Sequence, residues 1–253
     1  MHIEIGVEKI FHIGNFAITN SLLLSWIVIG FLVVLTVVLT RRVSLVPNRL
    51  QNGVEMGVEM LLDSMSLVLG TKEKARKYFP FIATLFTIIL VSNWIGIFPG
   101  VGSIGIRHQE PGTATEMGHQ NLVPFLRSPA SDLNFTLALA LVTIITINIM
   151  GIRAQGIKVS LKRYINFSSP INFFIGILEL IGELAKIISL SFRLFGNVFA
   201  GEVLLIIIGF LVPYLIPVPF LGLELFAGFI QALVFSTLTL VFLSLLTDEH
   251  AHH

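Results

Sequence analysis

From Pro170 to Leu211 the chain runs about 42 residues with no proline after the first position, and it is apolar nearly throughout. As one helix this stretch would be roughly 63 Å long at 1.5 Å per residue. A bilayer's hydrocarbon core is only about 30 Å thick, and known tilts average about 20° and reach about 40°. An upright helix would leave much of this apolar surface in water. The stretch is therefore expected to lie strongly tilted or bent within a membrane. It also carries an arginine, Arg193, at a depth where a cation costs a few kcal/mol to insert. Such a residue needs something to pair with.

The rest of the sequence agrees with a membrane setting. Apolar residues make up 55% and charged residues only 12%, about half the charged share of a soluble domain. A net charge of +1 gives no footprint for nucleic acid. The chain has no cysteine, which excludes disulfides, thiolate catalysis and thiolate metal sites. Glu4 and Glu8 beside Lys9 lack the basic start of a signal peptide, so the first apolar run is expected to be a span and not a cleaved leader. No internal repeat is present, which argues weakly against the inverted-repeat transporters.

The predicted fold is an all-α polytopic membrane protein forming a single membrane domain over residues 1–253. Three upright spans are expected at 21–40, 79–98 and 132–152. An amphipathic helix at 47–69 is expected to lie in the interface, and residues 170–211 and 220–246 to form a long, strongly tilted hairpin. Basic clusters follow the first span (Arg41, Arg42), precede the second (Lys72, Lys74, Arg76, Lys77) and follow the third (Arg153, Lys158, Lys162, Arg163). The positive-inside rule then puts the N-terminus outside and the C-terminus in the cytoplasm. Pro80 suits the first turn of the second span, Asp132 the N-cap of the third, and Ser169-Pro170 the start of the long helix. On residues 47–69, Gln51, Glu55, Glu59 and Asp63 share a face, best read as solvated. His108, Glu110, Glu116 and His119 match no metal-ligand spacing, and the histidines of the tail read as a solvated end.

At 100° per residue, Glu179, Lys186, Ser189 and Asn197 fall within about 40° of the face of Arg193. Glu183 falls about 80° away. Glu202 points about 180° away, roughly 13 Å further along the axis. On the last helix Glu224 and Gln231 are separated by i,i+7 and share a face. The polar residues thus form two systems, one leading up to Arg193 and one beyond it. Simpler readings remain open. Arg193 can pair with Glu183 or Glu202 inside the chain, Lys186 can snorkel, Glu179 and Glu183 can sit at the cytoplasmic interface, and Gln231 can bond Asn197 across the hairpin. Asn93 in the second span is either interhelical glue or the lining of a polar path.

The segment Ser191-Phe-Arg-Leu-Phe-Gly-Asn-Val-Phe-Ala-Gly-Glu202 resembles the signature of subunit a of the F-type ATP synthase. Pro47-Asn-Arg-Leu-Gln-Asn, Asn93-Trp-Ile-Gly-Ile-Phe-Pro99, Ser128-Pro-Ala-Ser-Asp-Leu-Asn134 and Gln231-Ala-Leu-Val-Phe agree with it in order along nearly the whole chain. The resemblance implies a stator beside a rotating ring of c subunits, held by the b subunits of a peripheral stalk in an energy-coupling membrane such as the bacterial plasma membrane. It implies that Arg193 faces the rotor carboxylate, and that Glu202, Glu224, Asn197 and Gln231 line the access path from outside. Glu179 and Ser189 would line the cytoplasmic path, Lys186 matches a basic position of some members, and no cofactor or ATP chemistry is implied for this chain. Many bacterial members carry a histidine where Glu224 stands. Two neighbouring carboxylates influence each other's ionisation, so the relay should titrate differently here.

Two other classes fit the sequence less well. An unrelated transporter would want a substrate cavity and usually a repeat. An intramembrane enzyme would want H-E-x-x-H, G-x-S-x-G or a cysteine, and none of these occurs.

Overall fold

The computed structural model describes residues 9–13, 16–41, 48–97, 105–107, 122–124, 127–164, 169–212 and 217–247. Pro47, Phe98, Pro99, His108, Glu110, Glu116, His119, Asp248, Glu249 and the histidines of the tail lie outside the described residues. Among the described residues seven helices follow in order: α1 (Asn20–Thr40), α2 (Arg49–Leu69), α3 (Lys72–Ile95), α4 (Leu133–Gln155), α5 (Ile157–Tyr164), α6 (Pro170–Leu211) and α7 (Pro217–Thr247). Among the described residues five of them, α1, α3, α4, α6 and α7, are long and apolar enough to cross a membrane. The chain is an all-α polytopic membrane protein with a long C-terminal helix pair. Two short antiparallel ribbons, β1 (Lys9–Ile13) with β2 (Phe16–Thr19) and β3 (Gly105–Arg107) with β4 (Leu122–Pro124), accompany the helices. Helix periodicity gave no hint of them, because each strand is too short to show alternation.

Local chemistry sets most helix ends. Thr19 caps α1 by accepting from the Leu22 N–H at 3.3 Å, and Asp132 caps α4 by accepting from the Asn134 N–H at 2.9 Å. Pro170 opens α6 as expected, but the Ser169 side chain makes no capping bond. The second span differs more from expectation. α3 begins at Lys72, not near Pro80, and Pro80 lies inside it. Gly70 at φ +76° ends α2, and the Thr71 side chain caps α3 through the Lys74 N–H at 3.3 Å. That left-handed glycine followed by a cap is the stronger boundary signal; the proline forfeits only one bond of the helical ladder. The basic cluster from Lys72 to Lys77 is thus the first turns of α3.

The core forms where α7 packs against α3, α4 and α6, and α4 packs against α6. Ile82 and Ile89 of α3, Ile144 and Ile147 of α4, Leu190 and Leu194 of α6, and Phe235 and Leu243 of α7 are its buried residues. α2 adds Met65 and Leu69 and leaves Glu55, Glu59 and Asp63 exposed. α5, unforeseen in the sequence, docks against α6. A Cβ at Gly176 would sit 2.2 Å from the Tyr164 carbonyl oxygen, so only glycine admits this approach. α6 itself is barely covered: 11% of its most apolar window is buried, against 50% for α7.

Candidate functional site

Arg193 lies on α6 between the buried Leu190 and Leu194, with its own side chain exposed. Its guanidinium donates to Ser189 Oγ at 3.4 Å, one helical turn back. Among the described residues no carboxylate stands within ion-pair distance of it. Glu183 is engaged by Lys186 Nζ at 2.8 Å, and Glu202 by Arg127 Nε at 3.9 Å. The two in-chain pairings open at the sequence level therefore do not form. Beside Arg193 runs an exposed apolar face that includes Phe174, Leu178, Ile181, Ile188 and Phe192. The predicted stripe is not continuous either. Asn197 donates across the hairpin to the Ala227 carbonyl at 3.5 Å, and Lys186 turns to Glu183. Glu179 pairs with Arg163 of α5.

Toward the Leu211 end of α6 the hairpin is close at Gly201, where a Cβ would come 2.8 Å from Glu224 Oε1. Glycine lets the Glu224 side chain lie flat against α6, beside Glu202. Arg127, just before the 3-10 turn Pro129–Ser131, donates to Ser131 Oγ at 3.3 Å and faces Glu202. Asn93 Nδ2 donates to the Gly228 carbonyl at 2.9 Å, and Trp94 Nε1 to the Leu225 carbonyl at 3.0 Å. Asn93 is thus interhelical glue, yet its Oδ1 is buried with no hydrogen bond. So are Glu224 Oε2, Gln231 Nε2, Ser92 Oγ and Ser236 Oγ. The bond between Gln231 and Asn197 that the simpler reading allowed is not made. Buried polar atoms nearly always find partners, and each one left without costs about 1–3 kcal/mol. Such a run of open donors and acceptors on α3 and α7 suits small polar guests.

The Pro170 end is organised differently. Arg163 grips Glu179 through both Nε and Nη2. Burial opposes the Arg163 charge, but the hydrogen bond and charge of Glu179 outweigh it and raise its pKa above the usual range. Tyr164 donates to Asn148 Oδ1 at 2.9 Å, and Asn148 Nδ2 donates to Glu183 Oε2 at 3.3 Å. Burial, then the nearby charge of Glu183, push the Tyr164 phenol above its ordinary pKa and keep it a donor. Lys186 Nζ sits 5.0 Å from the centre of the Phe242 ring. A cavity of about 260 Å³ opens here between α4, α5, α6 and α7.

Sequence reasoning missed three of these side chains, Arg127, Asn148 and Tyr164. Arg127 directly precedes the Ser128-Pro-Ala-Ser-Asp segment and was a readable signal. Asn148 was another, an amide in an apolar run like Asn93. The place of Tyr164 depends on how α5 folds back, which no local pattern encodes.

Membrane-crossing helices that hold an exposed arginine, with acids and amides at both ends of one hairpin, define a protein that handles charge inside the bilayer. The sequence model of the family described as ATP synthase A chain matches residues 22–244, most of the chain. The chain belongs to that family, and is an integral membrane subunit of the Fo part of ATP synthase, serving ion transport and ATP synthesis.

Proposed function

We infer that this chain is the stator of a rotary proton path, with two offset half-paths separated by Arg193. The carrying observation is the exposed guanidinium on an apolar face with no carboxylate partner among the described residues. A cation at such depth is stabilised by an anion brought from outside the chain. The matching anion is the carboxylate of each c subunit in a ring passing α6. From outside, a proton reaches that carboxylate by way of Glu202, Glu224, Gln231, Asn93 and Asn197. The open hydrogen-bonding atoms of Glu224, Gln231 and Asn93 support this, because they can hold water in file. Neutral, the rotor acid can turn into lipid. Returning, it meets Arg193, which favours its ionised form and prevents direct transfer between the half-paths. The proton then leaves past Ser189, Lys186 and the acids at the Pro170 end. Each charge crossing contributes about 2.3 kcal/mol per 100 mV of membrane potential.

On this reading the chain does no ATP chemistry of its own and is held by the b subunits of the peripheral stalk. Its basic loops face the cytoplasm of a bacterial plasma membrane and its N-terminus faces outside. Arg193→Ala is the test. ATP-driven proton pumping by the intact complex should vanish with the complex still assembled, and pumping at the original rate would sink the reading. Sodium-dependent pumping with no proton signal would assign the other ion.

A further inference from the structure

α5 touches α6 with one side. Its Tyr164 carbonyl lies against Gly176, and Arg163 grips Glu179. No residue of α5 is fully buried. Its surfaces follow one another around the helix as i,i+4 pairs. At 100° per residue, Ile157 and Leu161 fall about 60° from Ser160 and Tyr164, and Lys158 and Lys162 about 100° further on. Ser160 and Tyr164 border the cavity of about 260 Å³. Ile157 and Leu161 are 69% and 59% exposed, and both lysines are exposed as well.

Each of these surfaces lacks a partner. The polar groups around the cavity engage one another: Tyr164 with Asn148, Asn148 with Glu183, and Arg163 with Glu179. What they leave open is the apolar wall from Gly151, Ile152, Leu180 and Leu246, which suits hydrocarbon better than water. Lys158, Lys162 and Arg153, the last exposed in the final turn of α4, have no carboxylate within ion-pair distance among the described residues. The acids of this end, Glu179 and Glu183, are held by Arg163 and Lys186. Two lysines, an apolar flank and an apolar hollow thus follow one another around one short helix. An anion with a hydrocarbon chain attached matches all three. Free phosphate or a neutral lipid matches only part.

We propose that α5 seats an anionic phospholipid, with its phosphate held by Lys158 and Lys162 and its acyl chain laid over Ile157 and Leu161 into the cavity. Basic pockets between membrane helices take such headgroups. The bound lipid pins α5 to α6 alongside the pair of Arg163 and Glu179. The seat does not depend on the two-path reading above.

The intact complex reconstituted in vesicles tests this, with a photoactivatable phosphatidylglycerol that carries its reactive group on the acyl chain. Adducts mapped by mass spectrometry should fall on Ile157, Leu161 and the cavity wall at Ile152 and Leu180. Excess phosphatidylglycerol should remove them, whereas phosphatidylcholine and inorganic phosphate should not. Lys158→Gln with Lys162→Gln should lower the yield on the order of ten-fold with the complex assembled, and Lys158→Arg with Lys162→Arg should keep it. Amide exchange in α5 should be slower with phosphatidylglycerol present than in phosphatidylcholine alone, and the double glutamine variant should lose that difference. An absence of adducts at these residues overturns the proposal, as does equal labelling by a phosphatidylcholine analogue. Undiminished labelling of Lys158→Gln with Lys162→Gln also overturns it. Displacement by inorganic phosphate would assign the lysines to a free anion and overturn the lipid seat. Equal amide exchange in the two lipids overturns the pinning.

Discussion

At the Pro170 end of α6, Glu179 and Glu183 each hold a cation, Arg163 and Lys186, and two neutral donors, Tyr164 and Asn148, complete the network. At the Leu211 end, Glu202 has Arg127 at 3.9 Å, and Glu224 keeps a buried oxygen with no hydrogen bond. One end is saturated and encloses space; the other is tight and leaves its donors and acceptors open. Both ends use a glycine of α6 to admit a neighbour, but against different things. Gly176 faces the backbone of Tyr164, and Gly201 faces the side chain of Glu224. The first contact cannot yield without moving a helix, whereas the second can yield by rotating a side chain. Where backbone sets the contact the region is structural, and where a side chain sets it the region can change state.

The largest expected effect breaks the structural end. Gly176→Ala places a methyl 2.2 Å from a carbonyl oxygen, and overpacking of this kind costs about 1–3 kcal/mol or more. The amount of chain recovered in membranes, and its melting temperature, should both fall clearly. Gly201→Ala should leave recovery and melting nearly unchanged yet slow proton conduction several-fold, because it displaces Glu224. Equal losses of stability in the two variants would erase the contrast.

Arg127→Ala comes next. It leaves Glu202 with no counter-charge in a part-buried site, and conduction should drop on the order of ten-fold, equivalent to about 1.4 kcal/mol; Arg127→Lys should recover part of it. Unchanged conduction would make the pair ornamental. The smallest effect belongs to Tyr164→Phe, which removes one hydrogen bond worth about 1 kcal/mol with conduction within about two-fold of the original. Because the Tyr164 pKa is raised on folding, its contribution is full below the unfolded phenol value. It is lost as pH rises through the folded one. Alkaline melting curves should therefore fall more steeply for the wild type than for Tyr164→Phe.

The helices were legible because hydropathy runs and caps are local, as at Asp132 and Pro170. The start of α3 was misplaced because Pro80 is conspicuous in sequence, while the decisive Gly70-Thr71 junction is small and polar. Members of the candidate site were legible as polar side chains that stand out in an apolar helix: Arg193, Glu202, Glu224, Asn93 and Gln231. Their pairings were not. A helical wheel put Glu179 and Lys186 with Arg193, but Arg163 of α5 claims Glu179 through a tertiary contact that a single-helix projection omits, and Glu183 claims Lys186 from one turn back on α6 itself. Arg127 lies in a connection, where no periodicity says which way a side chain turns.

The bare face of α6 also has a mechanical meaning. Phe174, Leu178, Ile181, Ile188 and Phe192 offer a passing neighbour no hydrogen bond to break. Each atom pair in such a contact holds by only about 0.1–0.2 kcal/mol, and as one pair parts another forms. Friction along the face should be low and nearly even. Arg193 interrupts it as a detent, a single point where a neighbour bearing charge would pause before moving on.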